Sequence, residues 1–278
     1  MRRITLPAIA ILLAVPAAAE DIERYRELSQ GAIAVTMDIT GPAEGDMEAM
    51  IKVTENGQDV LSERVMEIFS PIAIPEISFT EMDTSNATPE ILVSRWTGGA
   101  HCCNQISVYS KGAGGWSVLD AGAYDGEPLE AADRDGDGQT ELVTYDNAFF
   151  YKFSSYAGSY APPQVIGIRD GKIADISAEP GFKPLFEAYL KDMGEIPESG
   201  SDRNSWLAAY AATLVRLGQD DPLDYAEGAY DKNVDWGLTG CAVDMVNGEC
   251  PPGKETNITF PEALCAFLTE QGYLEAAE

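Results

Sequence analysis

Tight-turn signals separate short runs of apolar and β-branched residues over residues 32–177. Asn56-Gly57 and Asp170-Gly171 stand between two such runs each, and these dipeptides favour two-residue hairpin turns. Short strands joined by tight turns pair most readily in antiparallel order. The sequence therefore predicts a nearly all-β segment of incomplete propeller-like or sandwich type.

The C-terminal third has helical spacing instead. Residues 183–193 and 204–217 repeat their apolar side chains on one helical face, and each run ends at a glycine. Thr259-x-x-Glu262 has the pattern of a capping box and predicts the start of a last helix. Residues 21–30 are polar and carry Ile22, Tyr25 and Leu28 at the same spacing, which indicates a short helix or a loose arm.

The first nineteen residues have the pattern of a secretory signal peptide. Arg2 and Arg3 precede an apolar stretch over residues 4–15, and three alanines precede Glu20. The apolar stretch is too short to span a bilayer, and no other apolar stretch in the sequence is long enough to do so. We expect no membrane insertion and a periplasmic or secreted location.

Together these patterns predict an α+β protein with three parts. They are a signal peptide at residues 1–19, an antiparallel β domain at residues 20–178 and a small helical domain at residues 179–278. Apolar residues make up 45% of the chain, which is enough for a packed core.

The net charge of −28 argues against nucleic acid or an anionic membrane surface as a partner. It favours cation binding, and it also fits a host that lives in salt or has an acidic proteome. We expect a monomer.

An acidic loop carries the clearest chemistry in the sequence. Asp133, Asp135 and Asp137 alternate along it, with glycines between them that allow sharp turns. Carboxylates this close repel one another unless a cation lies among them. Calcium takes several hard oxygen ligands from alternate loop positions. We therefore predict a structural Ca²⁺ held by these three residues, by the backbone carbonyl of Gln139 and by Glu141. The alternative is an acidic turn without an ion.

This loop leads into a strand, because residues 142–145 are apolar and β-branched. Its last acid comes at the ninth position, whereas the helix-loop-helix calcium site needs a Glu at the twelfth, which here is Thr144. The loop resembles the calcium loops of FG-GAP and VCBS repeats, which occur in β-propellers and related extracellular proteins. That resemblance implies a calcium-stabilised extracellular β domain.

Residues 82–90 look like a degenerate copy of the same loop. They also end in a Glu before an apolar strand, and Glu90 precedes Glu141 by 51 residues, a plausible spacing for a repeat. Because the copy has lost the aspartates at the three alternating positions, we expect it to keep the fold without the ion.

Residues 98–103 read Gly-Gly-Ala-His-Cys-Cys and contain His101, the only histidine. Adjacent cysteines in an oxidising compartment form a disulfide with each other or pair elsewhere. A structural disulfide or turn and a metal or redox site remain the alternatives for His101, Cys102 and Cys103. The string resembles one found beside acidic repeat loops in secreted bacterial proteins, and that resemblance implies no activity.

The chain has five cysteines, so at least one is free or pairs outside the chain. The simplest arrangement has one bridge that involves the adjacent pair and one bridge among Cys241, Cys250 and Cys265.

Residues 145–160 hold seven aromatic side chains, and residues 149–153 are predicted to form a strand. The aromatic side chains either pack under the helical segment or line a groove for a sugar or peptide.

Enzyme signatures are few, since the sequence has one histidine and no Gly-x-Ser-x-Gly or Walker motif. The sequence therefore favours an exported calcium-binding protein that acts as a binding or scaffold module for a protein or glycan ligand. The alternative is an exported hydrolase or redox enzyme that uses His101 with Cys102 and Cys103.

Overall fold

The described part of the protein is α+β, as the sequence predicts, with antiparallel sheets in the N-terminal region and helices in the C-terminal region. The predicted signal peptide lies outside the described residues, and no described helix is long and apolar enough to cross a membrane. A computed structural model describes residues 24–42, 46–70, 73–126, 129, 131–243, 246 and 249–275.

The first sheet is a meander in which strands pair in chain order. Its strands are β1 (Tyr25–Gln30), β2 (Ile33–Thr40), β3 (Met47–Glu55) and β4 (Gln58–Ile68). The predicted Asn56-Gly57 turn is confirmed, since Glu55 pairs with Gln58 and both turn residues have positive φ, 52° and 76°. The helix or loose arm expected over residues 21–30 is wrong where the structure describes it, because residues 25–30 pair with β2.

Two further four-stranded meanders follow. The second sheet contains β5 (Glu76–Thr80), β6 (Glu90–Trp96), β7 (Asn104–Gly112) and β8 (Gly115–Tyr124). The third contains β9 (Ala131–Ala132), β10 (Glu141–Tyr145), β11 (Pro163–Arg169) and β12 (Lys172–Asp175). A propeller-like arrangement of the three meanders remains a prediction.

The sheets share their cores in chain order. Ile91 and Val93 of β6 pack in the core of the first sheet, whereas Leu92 between them packs in a core with the third sheet. Successive side chains of a strand point to opposite faces, so the second sheet is buried on both. The third sheet in turn presents Val165 to Phe186 in the helical segment.

The C-terminal segment contains four described helices and a small ribbon. The helices are α1 (Lys183–Asp192), α2 (Ser201–Leu217), α3 (Asp224–Ala229) and α4 (Phe260–Glu270). The ribbon pairs β13 (Thr239–Cys241) with β14 (Glu255–Asn257), and the Cys241–Cys250 disulfide lies beside it. The predicted capping box is present, since Glu262 accepts hydrogen bonds from the Thr259 amide and hydroxyl, both at 2.7 Å.

The strand predicted over residues 149–153 is wrong. Asn147–Phe149 is a short 3-10 helix, and turns follow it. Phe149 and Phe153 are buried and make edge-on contacts with Phe267 of α4, at centroid distances of 4.8 and 5.4 Å. These two side chains therefore pack under the helical segment, which was one of the two alternatives for the aromatic run.

Candidate functional site

The acidic loop connects β9 to β10, and its carboxylates shape its backbone. Asp133 accepts hydrogen bonds from the Gly136 amide at 2.6 Å and from the Gly138 amide at 3.1 Å. Asp135 and Asp137 each accept one from the amide two residues further on. Gly136 and Gly138 have φ of 84° and 89°, which residues with a Cβ rarely adopt.

Glu141 closes the loop at the first position of β10 and is almost fully buried, with 1% of its surface exposed. Its Oε2 accepts a hydrogen bond from the Arg134 amide at 2.9 Å, but its Oε1 is buried and has no hydrogen-bond partner among the described residues. Carboxylate oxygens of Asp133, Asp135 and Glu141 lie within 4.8 Å of one another. Burial raises the pKa of Glu141, and the neighbouring aspartates raise it further.

The structure thus brings together three of the five predicted ligands. Asp137 instead accepts hydrogen bonds from its neighbour Gln139, at 2.7 Å from the backbone amide and 3.0 Å from the side-chain amide. These bonds lower the pKa of Asp137. The ligand roles of Asp137 and of the Gln139 carbonyl remain predictions.

The degenerate loop over residues 82–90 shows how the same position is satisfied without a carboxylate cluster. Glu90 is fully buried, and its Oε2 accepts from the amides of Met82 and Asp83, at 2.8 and 3.1 Å. Its Oε1 accepts from the Ser110 hydroxyl at 3.0 Å and from the Asn86 side-chain amide at 3.4 Å. Both oxygens of Glu90 therefore accept hydrogen bonds, whereas Oε1 of Glu141 has no donor among the described residues.

The acidic loop also contacts the turn that leads into α1. A Cβ on Gly181 would lie 2.5 Å from Oδ2 of Asp135 and 2.8 Å from its Cβ, so the glycine leaves the space that Asp135 occupies. Arg169 holds Glu179, next to this turn, through an ion pair of 2.6 Å. The site therefore lies where the third sheet meets the helical segment.

His101 lies at a second cluster that the sequence did not reveal. Its Nδ1 is 3.3 Å from Oδ2 of Asp125, and its ring stacks on Tyr156 at a centroid distance of 3.6 Å. The side chain of His101 is 35% exposed and that of Asp125 only 7%. Cys102 and Cys103 form a disulfide with each other, so neither offers a thiolate to a metal.

The predicted cysteine arrangement is confirmed. One bridge joins the adjacent pair, a second joins Cys241 to Cys250, and Cys265 is free and exposed.

A cleft of about 720 Å³ opens beside the cluster of His101, Asp125 and Tyr156, between β10, the aromatic segment and α1. Asp125 and Tyr156 line it, and so do Tyr145 and Tyr160. Tyr145 is 53% exposed. The aromatic run therefore divides its side chains between packing and the lining of a groove, and the binding of a sugar or peptide in that groove remains a prediction. Asp125 and Tyr156 are distant from His101 in the sequence, and no local pattern relates them to it.

The fold and the acidic loop define an α+β protein with three consecutive antiparallel meanders, a helical C-terminal segment and a clustered carboxylate site. Residues 186–272, which begin within α1 and end just after α4, match the family of the sll0997 C-terminal domain. No solved structure matches the chain.

Two curated relatives are similar over most of the chain. One is described as "Probable thylakoid lumen protein sll0997" from Synechocystis sp. and is 40% identical over 214 residues, which are 74% of this chain and 63% of the relative. The other, "Uncharacterized protein y4bJ" from Sinorhizobium fredii, is 30% identical over 203 residues, 72% of this chain and 32% of the relative. The chain therefore spans less than two thirds of either relative.

Proposed function

We propose that the chain is an exported calcium-binding protein in which Ca²⁺ at the acidic loop stabilises a binding or scaffold module. The observation that carries this proposal is the buried, unpaired Oε1 of Glu141 in a cluster with Asp133 and Asp135. Calcium prefers such carboxylate oxygens and accepts irregular geometry, with water as additional ligands. The resemblance to FG-GAP and VCBS loops supports the same ion.

A cation explains the cluster better than a proton does. A proton on Glu141 would satisfy one oxygen and leave the repulsion between Asp133 and Asp135. A divalent cation satisfies the unpaired oxygen and attracts all three carboxylates, offsetting two of their three negative charges. The degenerate loop supports this argument, because Glu90 has the Asn86 amide and the Ser110 hydroxyl where Glu141 has the two aspartates.

Two observations support export. The first nineteen residues have the signal-peptide pattern, and the Synechocystis relative is described as a lumen protein. The physiological ligand of such a module would be a protein or a glycan.

Titration calorimetry of the calcium-stripped protein tests the proposal. We expect one Ca²⁺ per chain and at least about tenfold weaker binding for Asp135→Asn, since one charged ligand is lost. The matched control is Asp83→Asn in the degenerate loop. Asp83 accepts a hydrogen bond from the amide two residues further on, that of Ser85, as Asp135 does from the Asp137 amide. Equal calcium affinity in the wild type and in Asp135→Asn would refute the site.

A second candidate, an exported hydrolase that uses His101, is favoured by one observation. His101 has a carboxylate partner in Asp125 beside a cleft, an arrangement that suits a general base. The adjacent cysteines are joined to each other and cannot serve as thiolate nucleophiles. Hydrolysis of a panel of esters and glycosides by the wild type, lost in His101→Ala, would support this candidate, and no turnover in either protein would reject it.

A further inference from the structure

The cleft beside Asp125 has the size and position of a small-molecule site. Its volume of about 720 Å³ lies within the usual range for such sites. It is bounded by Asp125 and Gly126, by the end of β10 and by α1, so two parts of the fold contribute to it.

Electron-rich rings form much of its surface. The faces of such rings carry partial negative charge and attract cations. Burial raises the pKa of Tyr189, and burial together with the Asp125 carboxylate raises the pKa of Tyr156 to about 12, so both rings stay neutral at physiological pH. The aromatic residues that line the cleft are Tyr145, Phe150, Tyr156, Tyr160 and Tyr189.

The charges around the cleft have one sign. Among the described residues that line it, the charged ones are Asp125 and Asp192, and none is Lys or Arg. An anionic ligand would therefore find no cation to pair with, whereas the net charge of −28 attracts positively charged ligands to the whole molecule.

Asp125 supplies an acceptor that lacks a donor. Its Oδ2 faces His101, but its Oδ1 is buried and has no hydrogen-bond partner among the described residues. Its side chain is more than nine-tenths buried. A buried carboxylate oxygen without a donor is costly, so a ligand N–H that reaches it would be bound strongly.

We propose that this cleft binds a small organic ammonium ion, a primary or secondary amine on an apolar body, with the ammonium hydrogen-bonded to Asp125 and the body against the tyrosines. The rings and the carboxylate select the positive charge together. Oδ2 of Asp125 lies 3.3 Å from Nδ1 of His101, which leaves Oδ1 for the ligand.

Titration calorimetry with chosen probes tests this site on the intact, disulfide-bonded protein in excess calcium. The probes are 2-phenylethylamine, its neutral analogue 2-phenylethanol, tetramethylammonium, which has no N–H, and glucose. We expect the amine to bind at least about tenfold more tightly than the other three, because a charge-assisted hydrogen bond is lost in each of them. Equal binding of the alcohol or of glucose would overturn the ammonium assignment, and equal binding of tetramethylammonium would overturn the hydrogen bond.

Three variants locate the site. Asp125→Asn should weaken the amine at least about tenfold, and Tyr145→Leu, at an exposed position of the cleft, should weaken it about two- to fivefold. Asp170→Asn changes the same functional group in the exposed turn between β11 and β12, and should leave the affinity unchanged. Should Asp125→Asn fail to fold, Tyr145→Leu decides alone, and an unchanged amine affinity in that variant overturns the proposal.

Discussion

Glu141→Gln should stabilise the protein without calcium and reduce the stability that the protein gains from calcium. Without calcium, the substitution removes a buried negative charge beside Asp133 and Asp135 and provides an amide that can donate to them. The Gln oxygen still accepts from the Arg134 amide. Relief of an unpaired buried group is worth about 1–3 kcal/mol, so the variant should be more stable than the wild type by up to that amount.

With calcium, the stability advantage of Glu141→Gln over the wild type should shrink or reverse. An ion at a hundred times its dissociation constant adds about 2.7 kcal/mol to the wild type. Glu141→Gln lacks one charged ligand and should gain much less. In a chain of this size, the wild-type gain corresponds to a rise in melting temperature of roughly 5–11 °C.

Glu90→Gln is the matched control in the degenerate loop. Both oxygens of Glu90 already accept hydrogen bonds, so an amide there would place a donor against donors. We expect a loss of about 1–3 kcal/mol, the same in calcium and in chelator.

Urea unfolding followed by tryptophan fluorescence, in calcium and in chelator, measures all three proteins. The reasoning is refuted if Glu141→Gln is less stable than the wild type in chelator, or if it keeps the full gain from calcium. It is also refuted if Glu90→Gln, like Glu141→Gln, gains less stability from calcium than the wild type does.

Three further substitutions test other parts of the structure. Gly181→Ala should cost about 1–3 kcal/mol and weaken calcium binding, since its Cβ would press on Asp135, and calorimetry with thermal melting measures both. Thr259→Ala should cost about 0.5–2 kcal/mol through loss of the capping box, as measured by urea unfolding. The Gly200 and Asn233 amides lower the pKa of Asp231, so its stabilising effect is complete above its unfolded pKa of about 3.9 and disappears as pH falls through the folded value. Asp231→Asn should therefore be less stable than the wild type at neutral pH, with a deficit that vanishes in acid, and an undiminished deficit would contradict this.

Local patterns predicted those parts of the fold in which local and tertiary forces agree. Asn56-Gly57 adopts its hairpin turn, and Glu262 caps α4, because each contact is made within four residues. Residues 25–30 have apolar side chains at helical spacing, but hydrogen bonding to β2 prevails. Phe149 has strand propensity, yet it ends a short 3-10 helix and is buried against α4.

The candidate sites divide in the same way. The acidic loop is contiguous, so its pattern could be read directly, and the structure brings Asp133, Asp135 and Glu141 together. The pairing of His101 with Asp125 and Tyr156 depends on the fold, because separate segments carry the three residues. A sequence pattern alone gives no signal for such a cluster.

Strand β6 separates two hydrophobic cores and contributes side chains to both. Leu92 belongs to one core and its neighbour Val93 to another, so adjacent substitutions there would report on two different interfaces. A disturbance on the side of the third sheet, where the carboxylate cluster lies, can reach the first sheet by displacing this strand itself. Residues 90–94 leave no side chain open to water that could absorb such a shift.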